Sequence, residues 1–126
     1  MNKRILIVED DQFLREFYHE LLAGEGFLVD VAGDGEVALK KIWEQEFDLI
    51  LLDIMLPKKD GVQILNDLKT HPAKSPKAVI VVLTNLGQDD IIKKCFDLGA
   101  TGYIIKSAMN PDQVLTEVKS YLRSSG

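Results

Sequence analysis

Side chains that can do chemistry follow four apolar runs in this chain, at the point where each run ends. Residues 5–8 lead into Glu9 and Asp10, 49–52 into Asp53, 79–83 into Thr84, and 103–105 into Lys106. If these runs are parallel strands, their polar residues meet at the edge of the sheet where the loops of such folds build sites. The sequence therefore predicts one pocket with three carboxylates, a hydroxyl and an ammonium.

Three carboxylates held close together repel one another at a low effective dielectric constant, so this pocket needs a compensating cation. Mg²⁺ suits it, because this ion takes oxygen ligands, commonly one or two carboxylates with waters and a substrate phosphate. A divalent metal and Lys106 would balance the charges of Glu9, Asp10 and Asp53. We therefore expect the pocket to accept one further anion, a phosphoryl group.

Length and composition exclude several classes of protein. The 126 residues form one domain, and 46% hydrophobic with 28% charged residues is typical of a globular chain. The formal net charge of -5 argues against direct nucleic-acid binding. The longest apolar run, 78–83, is too short to cross a membrane, and we expect no export segment. Cys95 is the only cysteine, which excludes an internal disulfide, and we predict a cytoplasmic protein.

The elements that must position these residues can be predicted from periodicity. The remaining strand is predicted at 27–32, which makes five strands, and a segment of helical period follows each. Asp11 and Asp34 are predicted to cap the first two helices, and Pro111 lies in the first turn of the last. This alternation indicates an α/β fold, a flavodoxin-like doubly wound five-stranded parallel sheet in the order 2-1-3-4-5 with five helices.

Five motifs in order along the chain resemble one known family. They are ILIVEDD at residues 5–11, LLDIMLP at 51–57, DG at 60–61, Thr84, and GYIIK at 102–106. On these motifs the whole chain, residues 1–126, is similar to the receiver domain of two-component response regulators, in its chemotaxis-regulator-like form.

The resemblance implies a role for each residue of the pocket. Asp53 would accept a phosphoryl group from a histidine kinase or a histidine phosphotransfer protein. Asp10 and Asp53 would bind Mg²⁺ directly, Met55 would bind it through its main-chain carbonyl, and Glu9 would act mainly through a water. Lys106 would pair with the phosphoryl oxygens. These are the parts that phosphoryl transfer requires.

The resemblance also implies a switch. The Thr84 hydroxyl would donate a hydrogen bond to the phosphoryl group, and Tyr103 would move between outward and inward rotamers. The fourth helix, fifth strand and fifth helix would then bind a downstream protein, with homodimerisation on phosphorylation as a further possibility. The protein would be a signalling switch, not an enzyme, promoting only its own phosphorylation and dephosphorylation. Plain strand packing is the alternative reading of Tyr103.

Two positions depart from the family's pattern. Ser107 follows Lys106, where the family usually has a proline preceded by a cis peptide bond. A cis bond before a non-proline residue costs about 3–4 kcal/mol, so either this bond is trans or surrounding contacts hold it. Asn85 follows the switch threonine, where a small residue is common, and we expect it to alter the lifetime of the acyl phosphate.

Other polar residues have simpler readings beside functional ones. Asp11 could ligate a metal, but its position opening the first helix favours an N-cap. Asp60 before a glycine indicates turn chemistry. His19 and His71 could be phosphorylated or catalytic, although lone histidines on a helix and in a loop are usually surface residues. Lysines 58–59 are most simply a solvated loop, with an acidic partner as the alternative.

Two rival functions are weaker. A phosphatase of the haloacid dehalogenase type also uses an aspartate nucleophile with Mg²⁺, but it needs a second aspartate as general acid where this chain has Met55. An atypical receiver would act as a phosphorylation-independent protein-binding module. Such chains typically lack one of the acidic pair, the acceptor or the lysine, and this chain has them all.

Overall fold

Strands and helices alternate along the chain, which the computed structural model describes at residues 2–85, 88–108 and 110–125. In chain order the elements are β1 (Arg4–Val8), α1 (Gln12–Ala23), β2 (Leu28–Ala32), α2 (Gly35–Glu44), β3 (Leu49–Asp53), α3 (Gly61–Thr70), β4 (Val79–Thr84), α4 (Asp89–Asp97), β5 (Gly102–Ile105), a 3-10 turn (Lys106–Ala108) and α5 (Pro111–Ser125). All five predicted strands and all five predicted helices are therefore confirmed.

The five strands form one sheet in the order β2-β1-β3-β4-β5, and every pairing is parallel. This is the predicted doubly wound order. The chain reverses its winding direction between β1 and β3, which opens a crevice at the carboxyl ends of these two neighbouring strands.

Apolar side chains fill both faces of the sheet, because successive residues of a strand point to opposite sides. Leu6 and Val8 of β1 belong to a core that α2, α3 and α4 cover. Ile5 and Ile7 belong to a second core, which α1 and α5 cover. Every residue of β3 is buried, because helices cover both faces of this central strand.

Aspartates open the first three helices. The side chains of Asp11, Asp34 and Asp60 each accept a hydrogen bond from a main-chain N–H in the first turn of α1, α2 and α3. The caps at Asp11 and Asp34 are confirmed. Asp60, predicted as turn chemistry, forms a capping box with Gln63. These caps fix where the three helices begin, close to the carboxyl edge of the sheet.

Two aromatic side chains lie at the border of their helical stripes, not in the core. Phe17 of α1 and Phe96 of α4 are 37% and 40% exposed, whereas their neighbours Tyr18 and Cys95 are buried. The periodicity gave the direction of each buried face but not its width. Within the described ranges, none of the helices has the length and apolar character needed to span a bilayer.

Helix α5 approaches β5 very closely at Gly102. A Cβ atom at this glycine would lie 2.1 Å from the hydroxyl oxygen of Tyr121, well inside van der Waals contact. The lack of a side chain at Gly102 thus lets α5 dock on the edge strand.

We expect Gly102→Ala to lower the free energy of unfolding by about 1–3 kcal/mol, the usual cost of overpacking. In a Tyr121→Ala background the same substitution should cost much less, because the ring that collides is absent. Urea denaturation of the four proteins measures both costs. Equal costs in the two backgrounds would contradict this account of the contact.

Candidate functional site

Strand register brings the predicted site residues together. The residues directly before Glu9 and Asp53 are partners in the β1·β3 pairing, so these two carboxylates end neighbouring strands. Thr84 pairs with the residue directly before Lys106. Because all the strands are parallel, Glu9, Asp53, Thr84 and Lys106 lie at the same edge of the sheet, as predicted.

The ammonium of Lys106 bridges two buried carboxylates. Its Nζ donates to Glu9 Oε1 at 2.7 Å and to Asp53 Oδ2 at 2.8 Å. Glu9 is wholly buried and Asp53 is 3% exposed. Carboxylates this far from water need a close cation, and Lys106 supplies one charge for the two.

One oxygen of this cluster lacks a partner. Glu9 Oε2 is buried and has no hydrogen bond within the part of the chain that the structure describes. Burial, and after it the neighbouring Asp53, raise the pKa of Glu9 from 4.5 to about 8 against the opposing effect of Lys106. Burial lowers the pKa of Lys106, but its hydrogen bonds to Asp53 and Glu9 outweigh this and the net pKa is raised.

Glu9, Asp10 and Asp53 each offer a carboxylate oxygen, and these oxygens lie within 4.8 Å of one another. Asp10 is exposed, so the group opens to solvent on its side. A set made only of oxygen donors, with the unpartnered Glu9 Oε2 among them, fits a hard cation such as Mg²⁺. The predicted cluster is thus present, while the assignment of each ligand stays a prediction.

Main-chain groups of the loop after β3 hold the carboxylate of Asp53 from the other side. The N–H of Met55 donates to Asp53 Oδ1 at 3.0 Å, and the Met55 side chain is 59% exposed. At the start of α3, a Cβ on Gly61 would lie 2.9 Å from the Cα of Ile54. This glycine therefore lets the helix pack against the end of β3. The role of the Met55 carbonyl as a metal ligand is untested by these contacts.

Thr84 is buried at the end of β4, but its hydroxyl is bonded to the following loop. It donates to Gln88 Oε1 at 2.5 Å, and the main-chain carbonyl of Asn85 is a second acceptor at 3.2 Å. The N–H of Asn85 donates to the same Gln88 oxygen at 3.1 Å. Thr84 thus lies at the predicted edge of the sheet, but among the described residues its hydroxyl is bonded to this loop and not to the carboxylates.

The remaining predicted residues lie around this centre. Tyr103 is 41% exposed, and its ring meets Phe96 edge-on at 6.1 Å. All peptide bonds among the described residues are trans, so the bond between Lys106 and Ser107 is trans and not cis.

The histidines and loop lysines lie outside the carboxylate cluster. His19 is exposed, and His71 stacks on Trp43 with ring centroids 4.5 Å apart. Of the loop lysines, Lys58 and Lys59 form ion pairs with Asp34 and Asp67 respectively.

Two residues at the site were not predicted from the sequence. Arg15 Nη1 donates to the main-chain carbonyl of Glu9 at 3.0 Å and is 3.4 Å from that of Asp10. Gln88 accepts from Thr84, as described above. The sequence offered an arginine five residues after Asp10 and a glutamine four residues after Thr84, but neither spacing identifies the atoms that these side chains bond.

The family model of the response regulator receiver domain matches residues 5–119. The chain belongs to this family. The receiver is 34% identical over 111 residues to the chemotaxis protein CheY of Halobacterium salinarum, with 88% of this chain and 90% of CheY covered. It is 30% identical to a CheY-like receiver domain protein of Methanospirillum hungatei, whose solved structure matches with a TM-score of 0.89 over 99% and 97% of the two chains.

Longer relatives contain the receiver as one part. The alkaline phosphatase synthesis transcriptional regulatory protein PhoP of Bacillus subtilis is 38% identical over 127 residues, which cover 99% of this chain but 50% of PhoP. The chain therefore spans about half the length of such regulators. The match extends over the receiver alone and carries no output activity with it.

The raised pKa of Glu9 predicts a pH dependence for the metal-free receiver. An unfolded chain loses this proton near pH 4.5, whereas the folded protein keeps it up to about pH 8. Between these values the folded state binds more protons, so the contribution of Glu9 to stability is largest at low pH and falls as the pH rises. We expect Glu9→Gln to remove this decline, as measured by urea denaturation in EDTA from pH 5 to pH 8.

The matched control is Glu46→Gln, which changes an exposed glutamate by the same chemistry. It should leave the decline with pH unchanged. If Glu9→Gln and the parent lose stability in parallel over this range, Glu9 does not hold its proton in the folded state.

Proposed function

We propose that residues 1–126 form a receiver that takes a phosphoryl group from a phosphohistidine donor onto Asp53. The donor would be a histidine kinase or a histidine phosphotransfer protein. The observation that carries this proposal is the Lys106 ammonium, held between the buried carboxylates of Asp53 and Glu9 at the carboxyl edge of the sheet. Membership of the receiver family supports it.

The transfer step uses groups already in place. One carboxylate oxygen of Asp53 attacks the phosphorus, the P–O bond forms as the P–N bond to the donor imidazole breaks, and the imidazole takes up a proton. Lys106 Nζ lies 2.8 Å from Asp53 Oδ2 and would pair with the phosphoryl oxygens as they arrive at this carboxylate. The Met55 N–H fixes the orientation of the carboxylate through Oδ1.

Mg²⁺ would supply positive charge to the phosphoryl oxygens as they approach. Asp10 and Asp53 would hold it directly, Met55 would contribute its main-chain carbonyl, and Glu9 would act through a water. The spacing of the three carboxylates supports this set, and so does the unpartnered Glu9 Oε2. Uptake of the ion would then be coupled to loss of the Glu9 proton.

The switch would run from Thr84 to Tyr103. A phosphoryl group on Asp53 would attract the Thr84 hydroxyl, and Tyr103 would leave its exposed position beside Phe96. The surface formed by α4, β5 and α5 would then bind a downstream protein or a second copy of the chain. The phosphoryl group would shift the equilibrium between two conformations of this surface, because it interacts more favourably with one of them.

The protein would act only on its own phosphoryl group, without turnover of an external substrate. Direct contact with nucleic acid is not expected at a net charge of -5. A buried free thiol at Cys95 fits a reducing compartment, and we propose the cytoplasm. No observation favours the phosphorylation-independent module over the switch.

The first test is labelling by acetyl phosphate with Mg²⁺, followed by intact-protein mass spectrometry. The parent should gain one phosphoryl group per chain, and Asp53→Asn should gain none because its amide is not a nucleophile. Asp11→Asn is the matched control, since asparagine also caps a helix and Asp11 lies beside the cluster without belonging to it.

Equal added mass on the parent and on Asp53→Asn would exclude Asp53 as the acceptor. Sustained hydrolysis of a phosphate ester by the parent would favour the phosphatase reading. A folded parent that takes no label from acetyl phosphate or from a phosphohistidine donor would favour the binding module.

The second test follows the Tyr103 ring by NMR during titration with beryllofluoride and Mg²⁺. We expect its signals, and those of Phe96, to move because the two rings are in contact and Tyr103 changes rotamer. Thr84→Ala should remove most of this response, and Thr84→Ser, which keeps the hydroxyl, should retain it. An unchanged Tyr103 in the ligand-bound parent would leave it as a strand-packing residue.

A further inference from the structure

The side chain of Gln88 points back toward β4 and not along its own helix. Gln88 stands at the N-cap position of α4, yet its side chain makes no capping hydrogen bond there. Its Oε1 instead accepts from the Thr84 hydroxyl at 2.5 Å and from the Asn85 N–H at 3.1 Å. One amide oxygen therefore ties the end of β4 to the start of α4.

The donors fix which way the proton of Thr84 points. The Asn85 N–H can only donate, so the Gln88 atom that faces it must be the amide oxygen and not the nitrogen. That oxygen can only accept, so the short contact from Thr84 requires the hydroxyl to be the donor. A hydroxyl has a single proton, and both of its acceptors in this structure, Gln88 Oε1 and the Asn85 carbonyl, belong to the loop.

A phosphoryl oxygen on Asp53 would need the same proton. It is an acceptor without hydrogens, so Thr84 can bind it only by donating. We propose that Gln88 is a positioning residue that holds the switch threonine in its resting form by competing with the phosphoryl group for the Thr84 hydroxyl proton. This inference rests on the proposed role of Thr84 in the switch.

The competition has a direct consequence for affinity. In the parent, a phosphoryl group or its mimic must displace Gln88 before Thr84 can bind it. Without the Gln88 oxygen the resting state loses that bond, while the Asn85 N–H is on an exposed residue and can turn to water. The mimic should then bind about two- to tenfold more tightly, the range that one net hydrogen bond provides.

The test is the affinity for beryllofluoride with saturating Mg²⁺, measured by calorimetry. The variant is Gln88→Met, which keeps the length of the side chain and removes the amide oxygen, with Gln88→Ala as a second form. Gln113→Met is the matched control, because Gln113 Oε1 also accepts a main-chain N–H, from Asn110 at 2.9 Å, at the start of another helix. Both Gln88 variants should bind more tightly, and Gln113→Met should equal the parent.

The same substitution in a Thr84→Ala background separates this role from a merely structural one. There Gln88→Met should change the affinity little, because no hydroxyl proton remains to compete for. Unequal effects in the two backgrounds support the competition, and tighter binding of the same size in both overturns it.

The remaining outcomes separate this inference from the function on which it rests. If the parent binds beryllofluoride and Thr84→Ala weakens the binding while Gln88→Met and Gln88→Ala match the parent, the competition is overturned and the switch stands. If the folded parent does not bind beryllofluoride at all, the proposed function and this inference fall together.

Discussion

The geometry of the site depends on the contact between Lys106 and the two buried carboxylates. Glu9 follows β1, Asp53 ends β3, and Lys106 follows β5, so a single ammonium connects the ends of three strands of one sheet. Two carboxylates could not be withdrawn from water at this edge without such a cation. Among the described residues Glu9 Oε2 has no hydrogen-bond partner and burial raises the pKa of Glu9, so the oxygens of this cluster could hold a metal ion as a second cation. The charges that set the stability of the metal-free cluster thus also leave carboxylate oxygens that could hold a metal ion.

The fold supplies the rigidity that this charge cluster needs. Parallel pairing sets the carboxyl ends of the strands side by side, and burial of β3 on both faces fixes the backbone that carries Asp53. Aspartate caps at Asp11 and Asp60 start α1 and α3 directly beside the cluster. The lack of a side chain at Gly61 lets the first turn of α3 pack against the main chain at the end of β3.

Much of this could be predicted from the sequence, because it follows from periodicity and from strand ends. Apolar runs gave the strands, the alternation gave the sheet order, and the residues that end the runs gave the acidic cluster. The hydrogen bonds of the site could not be predicted in the same way. Arg15 reaches the carbonyls after β1, and Gln88 captures the Thr84 hydroxyl, through loop geometry that residue spacing does not encode. Nor does helical period set the edge of a buried stripe, where Phe17 and Phe96 are partly exposed.

The two helices of the proposed binding surface pack on opposite layers of the molecule. Helix α4 covers one core and α5 the other, and the four-residue strand β5 separates them. The ring of Tyr103 in β5 contacts Phe96 of α4, and Tyr121 of α5 lies against the neighbouring Gly102. A partner that contacts both helices would therefore respond to a shift of one helical layer relative to the other. Such a shift could change the affinity of the partner even if the conformation of each helix stayed the same.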